Sequence, residues 1–163
     1  SINSKIFDLF ISDVYHKLKG DQGLLLNNLF CNSRLINADV DIAMDPIYEF
    51  LFEKNNAFFL GKGITINKYS GYNGKDNCSD ANPEYIAFIR KILEENNIRY
   101  QIGEGGKIDA GGGATNSFVF ANKGVEAIDC GIPILSMHSP YEVVSKYDIY
   151  MAYKAFEVFF ESY

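Results

Sequence analysis

PILSMHSPYEV, residues 133–143, joins an apolar run to a polar turn carrying one of only two histidines in this 163-residue chain. IPILSM (132–137) predicts a buried strand. Ser139, Pro140 and Glu142 predict a capped helix over residues 139–163, because Ser and Glu three apart satisfy the first helical amides and proline suits the first turn. Functional groups in α/β sheets collect at the carboxyl ends of strands, where loops converge over a rigid support. His138 therefore stands where chemistry is expected. Position alone leaves three roles open: metal ligand, general base, or a histidine satisfied by backbone groups at a helix entrance. A helix dipole disfavours a nearby dication by up to about 1 kcal/mol, which several anionic ligands outweigh.

The same alternation of strand and helix signals runs through the chain. VEAIDCG (125–131), IRYQIG (98–103) and GITINKYSG (63–71) read as strands. RLINADVDIAM (34–44) reads as one strand whose Ile36, Ala38, Val40 and Ile42 face one way, while Asn37, Asp39 and Asp41 form an acidic second face. Residues 43–61 are turn-rich, and YNGKDNCSDAN (72–82) reads as a loop. Phe7, Phe10, Ile11, Val14 and Leu18 make a helical stripe that Gly20 stops, and His16 lies off it at the surface. Further helices are expected over residues 24–33 and 115–124. Another starts at Asn82 and Pro83, buries Tyr85, Ile86, Ile89, Ile92 and Leu93, and stops at Asn96 and Asn97. The last helix is apolar nearly all round, so it is expected to be covered on more than one side. The fold class is α/β, with a mixed, mostly parallel sheet between helix layers.

Composition narrows the functional classes. The formal charge is −6, and Lys62, Lys68, Lys75, Lys107 and Lys146 are scattered rather than striped, which argues against nucleic acid as a partner. No apolar run approaches the roughly 18 residues of a membrane span. Cys31, Cys78 and Cys130 are odd in number and outside any CxxC pair, so neither a disulfide scaffold nor a cysteine zinc site is expected. A soluble cytoplasmic protein is the expectation. DAGGGAT (109–115) lacks the P-loop pattern and reads either as an anion-binding backbone cradle or as a tight turn. Asp39 and His138, far apart in sequence and each at a strand end, are the residue types that a hydrolytic zinc site uses, although two positions do not complete one.

The ordered set ADVDIAMDP (38–46), GKGITINKYSG (61–71), DAGGGAT and GVEAIDCGIPILSMHSPYEVVSKYDIYMAYKAF (124–156) resembles the C-terminal portion of the aminopeptidase I/aspartyl aminopeptidase family of dinuclear zinc exopeptidases. It covers nearly the whole chain. The resemblance implies a three-layer zinc-peptidase fold. Asp39 would be a ligand to one zinc ion and His138 a ligand to the other. Lys68, Tyr69 and Tyr72 would lie near the substrate, with Gly112 and Gly113 lining the cleft, and Ala114 stands where the family commonly has a fourth glycine.

The resemblance also implies what lies elsewhere. The bridging aspartate, a second histidine ligand and the Glu-Glu pair that includes the general base fall upstream of Ser1 in the family, and an inserted oligomerisation domain is expected outside this segment. Residues 1–163 would then be the C-terminal portion of the catalytic domain, with no catalytic base of their own. Glu94 and Glu95, in the last turn of a helix, do not match that pair. The implied activity is zinc-dependent removal of the N-terminal residue of a peptide by the complete homo-oligomeric enzyme, with this segment inactive alone. Two other readings remain: a non-catalytic assembly module of the same fold, and an anion-binding domain built on the 109–115 loop.

Overall fold

The computed structural model describes residues 4–20, 25–72, 76–107, 112–113 and 115–162. Their elements in chain order are α1 (Lys5–Lys19), α2 (Leu25–Cys31), β1 (Arg34–Asn37), β2 (Val40–Ile42), β3 (Ile64–Asn67), β4 (Tyr69–Tyr72), β5 (Asp76–Asp80), α3 (Pro83–Glu95), β6 (Tyr100–Gly103), β7 (Gly112–Gly113), α4 (Ser117–Ala121), β8 (Glu126–Leu135), β9 (Val143–Val144) and α5 (Lys146–Glu161). β8 is the axis of the main sheet. It pairs in parallel with β1 and β2 and antiparallel with β3 and β9, while β6 lies parallel to β3 at one edge. This is the mixed, mostly parallel sheet expected of the sequence. A second, antiparallel sheet is ordered β5-β4-β7.

Side chains alternate across a strand, so the main sheet has two unlike faces. Ile64, Ile66, Ile128 and Cys130 pack with Tyr85, Ile89 and Leu93 of α3 and with Ala152, Ala155 and Phe159 of α5. Burying each large aliphatic side chain contributes about 1.5–3 kcal/mol, so this face carries the core. Residues of the opposite parity are polar yet buried: Thr65, Asn67 and Asp129. α4 approaches this second face and places the buried Ser117 against Asp129.

α3 forms as its sequence predicts. The Asn82 side chain accepts the Glu84 amide at 3.1 Å, Pro83 occupies the first turn, and Asn97 adopts φ 56° just past the end. α1 also has its expected bounds, closed by the Gly20 amide on the His16 carbonyl at 2.9 Å. Its stripe is only partly covered, however: Phe7 and Ile11 are half-buried, while Phe10, Val14 and Leu18 remain exposed. The helix is held instead by Phe7, stacked on Phe30 and edge-on to Phe120, and by the Asp8–Lys123 ion pair at 2.7 Å.

Several sequence expectations are corrected. VEAIDCG and IPILSM form one ten-residue strand, β8. Pro133 breaks no ladder there: the Ile132 amide points to Asp39, so the next amide would point away, past the last β3 pair at Thr65 and Gly131. Residues 34–44 split into β1 and β2 at positions 38–39, although the register against β8 continues from Asn37–Asp129 to Val40–Ile132. The 72–82 loop contains β5, paired with β4 through an irregular register. Finally, the C-terminal helix starts at Lys146, capped by Ser145, because Val143 and Val144 first return along Leu135 and Ile134 as β9. α5 buries one side only, leaving Tyr150, Tyr153 and Phe160 exposed. Among the described residues no helix is long and apolar enough to cross a membrane.

Candidate metal and substrate site

Asp39 sits in the break between β1 and β2. Its carbonyl accepts the Ile132 amide at 3.1 Å. This close approach depends on Gly131, since a Cβ there would lie 2.4 Å from the Asp39 carbonyl oxygen. The carboxylate accepts the adjacent Val40 amide at 2.8 Å through one oxygen and is otherwise exposed. It therefore keeps lone pairs for a cation.

His138 lies in the 136–142 turn between β8 and β9, with φ 65°. A non-glycine residue in the left-handed region costs about 1–3 kcal/mol and persists only where its surroundings dictate it. Here the His138 amide donates to Glu142 Oε1 at 2.6 Å, the Ser139 amide to the Ser136 carbonyl at 3.0 Å, and the Tyr141 amide to Ser139 Oγ at 3.2 Å. The residues expected to cap a helix thus close a turn instead. The backbone of His138 is fixed while the residue stays exposed, and its imidazole hydrogen-bonds to none of the described residues. The helix-entrance role does not apply, because α5 begins only at Lys146.

A carboxylate oxygen and an imidazole nitrogen are donors zinc accepts. Among the described residues no three His, Cys, Asp or Glu side chains group closely enough to hold a metal ion. Asp39 and His138 are of donor types that suit zinc, and among the described residues they complete no metal site.

The candidate substrate residues converge in the second sheet. Gly71 pairs with Gly113 and Tyr72 with Gly112, which brings two segments some forty positions apart into adjacent strands. Tyr69 is half-buried at the start of β4. Lys68, between β3 and β4, is exposed but tied to β5 by its Nζ contact with Asp80 at 2.7 Å. The Tyr72 side chain, Lys75 and residues 109–111 and 114 of the glycine loop lie outside the described residues.

Sequence reading missed a polar cluster on the second face of the main sheet. Thr65 Oγ1 donates to Asp41 Oδ2, and Asn67 Nδ2 donates to Asp41 Oδ1 at 3.3 Å. Removal from water, then the like charges of Asp129 and Asp39, raise the Asp41 carboxyl to about 6 against the opposing hydrogen bonds of Thr65 and Asn67. Asn67 Oδ1 is buried without a partner among the described residues. Burial also pushes the Cys130 thiol up, so it is packed rather than reactive. The signal for this cluster was present: Asn37, Asp39 and Asp41 share one parity, and so do Thr65 and Asn67. Which of them would be covered was not encoded locally.

Comparison with known proteins adds to this geometry. The aminopeptidase I zinc metalloprotease (M18) family matches residues 1–160. A probable M18 family aminopeptidase 1 from Clostridium acetobutylicum is 42% identical over 158 residues, covering 97% of this chain and 34% of that protein. The chain thus spans about a third of the length of the curated relatives it matches. The crystal structure of aminopeptidase I from Clostridium acetobutylicum superposes with a TM-score of 0.85 at 42% identity, covering 98% of this chain and 34% of that one. An M18-family aminopeptidase from Thermotoga maritima gives a TM-score of 0.91 at 31% identity, covering 97% and 35%. A sheet organised on β8, the paired 69–72 and 112–113 segments and this agreement lead to one conclusion: the chain belongs to the aminopeptidase I (M18) family of zinc metalloproteases.

Proposed function

We propose that the full-length protein containing this chain is a zinc-dependent aminopeptidase, and that this chain supplies Asp39 and His138 to a dinuclear centre. The observation that carries the reading is the attachment of both residues to one strand. The Asp39 carbonyl is bonded to the Ile132 amide of β8, and His138 occupies the fixed turn that follows the end of β8 at Leu135. Bound zinc supplies Lewis acidity and a water acidic enough to become a nucleophile near neutral pH. Asp39 contributes carboxylate oxygens, and His138 contributes an imidazole nitrogen from a backbone held in one conformation. Tyr69, Tyr72, Gly112 and Gly113 receive the peptide along the second sheet, with Lys68 at its margin. The general base comes from another part of the protein, so residues 1–163 alone are inactive and bind zinc weakly. We also propose homo-oligomeric assembly, for which the exposed Tyr150, Tyr153 and Phe160 of α5 offer an apolar surface.

The test compares hydrolysis of an N-terminally free peptide with its N-acetylated counterpart by the full-length protein, before and after chelation and zinc return. Cleavage of the free peptide only, lost with chelator and restored by zinc, supports the reading. Equal cleavage of both peptides, or none with zinc present, overturns it. Titration of the isolated 163-residue chain with zinc should give weak binding, and tight binding of two ions would overturn that part.

A further inference from the structure

Asp129, in the middle of β8, is 4% exposed and has no Lys, Arg or His partner among the described residues. Neutral donors from two distant segments surround it. Asn37 Nδ2 donates to Oδ1 at 2.6 Å, while Ser117 Oγ and Thr115 Oγ1 donate to Oδ2 at 2.6 and 3.0 Å. A buried carboxylate without a cation costs several kcal/mol of desolvation, and an apolar side chain of similar volume often serves stability as well or better. What an apolar residue cannot do is bind three donors in fixed directions.

The donors matter for what adjoins them. Asn37 ends β1, two positions before Asp39, whose carbonyl is bonded to Ile132 further along β8. Thr115 and Ser117 form a turn closed by the Ser117 amide on Thr115 Oγ1 at 3.3 Å, and they lie just after Gly113, which is paired with Gly71. One carboxylate is therefore hydrogen-bonded to the approach to Asp39 and to the exit from the glycine strand. The geometry points to Asp129 as a positioning residue that sets the spacing between the metal-binding segment at Asp39 and the substrate-binding strand Gly112–Gly113. It touches neither metal nor peptide. This inference rests on the aminopeptidase reading and goes one residue deeper into the same site.

The test uses the zinc-loaded full-length protein with Thr115→Val, Ser117→Ala and Asn37→Ala. Each removes one bond to a buried charge, worth about a factor of ten. Thr115→Val and Ser117→Ala should raise KM about tenfold with kcat and zinc affinity near wild type. Asn37→Ala should lower zinc affinity by about the same factor and leave KM little changed. Amide hydrogen exchange should quicken at residues 112–118 in the first two variants and at 38–40 in the third, with β3 and β8 still protected. Variants that match wild type, or that lose KM, zinc affinity and Tm in parallel, overturn the positioning role while leaving an active wild type as an aminopeptidase. If the wild type cleaves no peptide, the functional reading fails, and exchange then decides alone: unchanged rates at both segments, or loosening of the whole sheet, overturn the inference.

Discussion

Asp148, in the first turn of α5, accepts the backbone amide of Gly63 at 2.7 Å across 85 positions of sequence. Its other oxygen accepts the Gly61 amide at 2.6 Å, and the side chain is fully buried. α5 thereby fixes the loop that feeds β3 into the sheet. Asp148→Ala leaves two amides without an acceptor, and bonds to charged groups are worth about 1.5–3 kcal/mol each. The expected loss is about 3 kcal/mol or more, read as a lower urea midpoint at constant slope. A loss below about 1 kcal/mol would contradict this account.

Gly131 is expected to tolerate no side chain. An alanine Cβ would stand 2.4 Å from the Asp39 carbonyl oxygen, so β2 must move or the strands must part. Gly131→Ala should destabilise the protein by about 1–3 kcal/mol, the usual range for overpacking, and lower zinc occupancy with it. Metal analysis at fixed zinc activity, beside thermal melting, checks both. Normal occupancy in a destabilised variant would separate Asp39 from β8.

Asp41 gives a pH signature. Its folded carboxyl titrates near 6 against an ordinary 3.8, so the folded state holds this proton more tightly than the unfolded state. The contribution of this group to stability is therefore fully present below about pH 4, declines as pH rises through 6, and then levels off. A shift of about two units corresponds to about 3 kcal/mol at most. Asp41→Asn removes the charge and supplies a donor that the orphaned Asn67 Oδ1 can accept after its amide turns. The variant should be more stable than wild type at pH 7.5 and close to it at pH 4. Equal stability differences at both pH values would rule the mechanism out.

His138 separates ligand chemistry from backbone strain. His138→Ala and His138→Gly should both reduce zinc bound to the full-length protein. Glycine has no penalty at φ 65°, so His138→Gly should be about 1 kcal/mol more stable than His138→Ala. Unchanged zinc in both variants would remove His138 from the metal centre.

What the sequence made legible was mostly local. α3 could be read end to end because Asn82, Pro83 and Asn96–Asn97 satisfy or stop the helix through their own chemistry. The 136–145 segment could not, because Ser139 and Glu142 close a turn as well as they cap a helix. Only the pairing of Val143 and Val144 with β8 decides between the two. VEAIDCG and IPILSM read as two strands for a similar reason: the neighbour that requires Gly131 at their junction, Asp39, lies 92 residues upstream. At the site, Asp39 and His138 were singled out by residue type and motif order. Asp129 and Asn67 escaped notice because their burial depends on partners from β1, α4 and β2.

The central place of β8 has a consequence for biosynthesis. β1, β2 and β3 all pair with it, yet it lies in the last third of the chain. A ribosome adding about 5–20 residues per second takes several seconds to travel from β1 to β8. During that interval β3 can join β6, but among the described residues β1 and β2 pair with no main-sheet strand other than β8. Long-range pairing of this kind makes folding slow and leaves strand edges open to wrong partners. The step that assembles the sheet, and with it the Asp39 and His138 segments, is the late arrival of the strand to which both are attached.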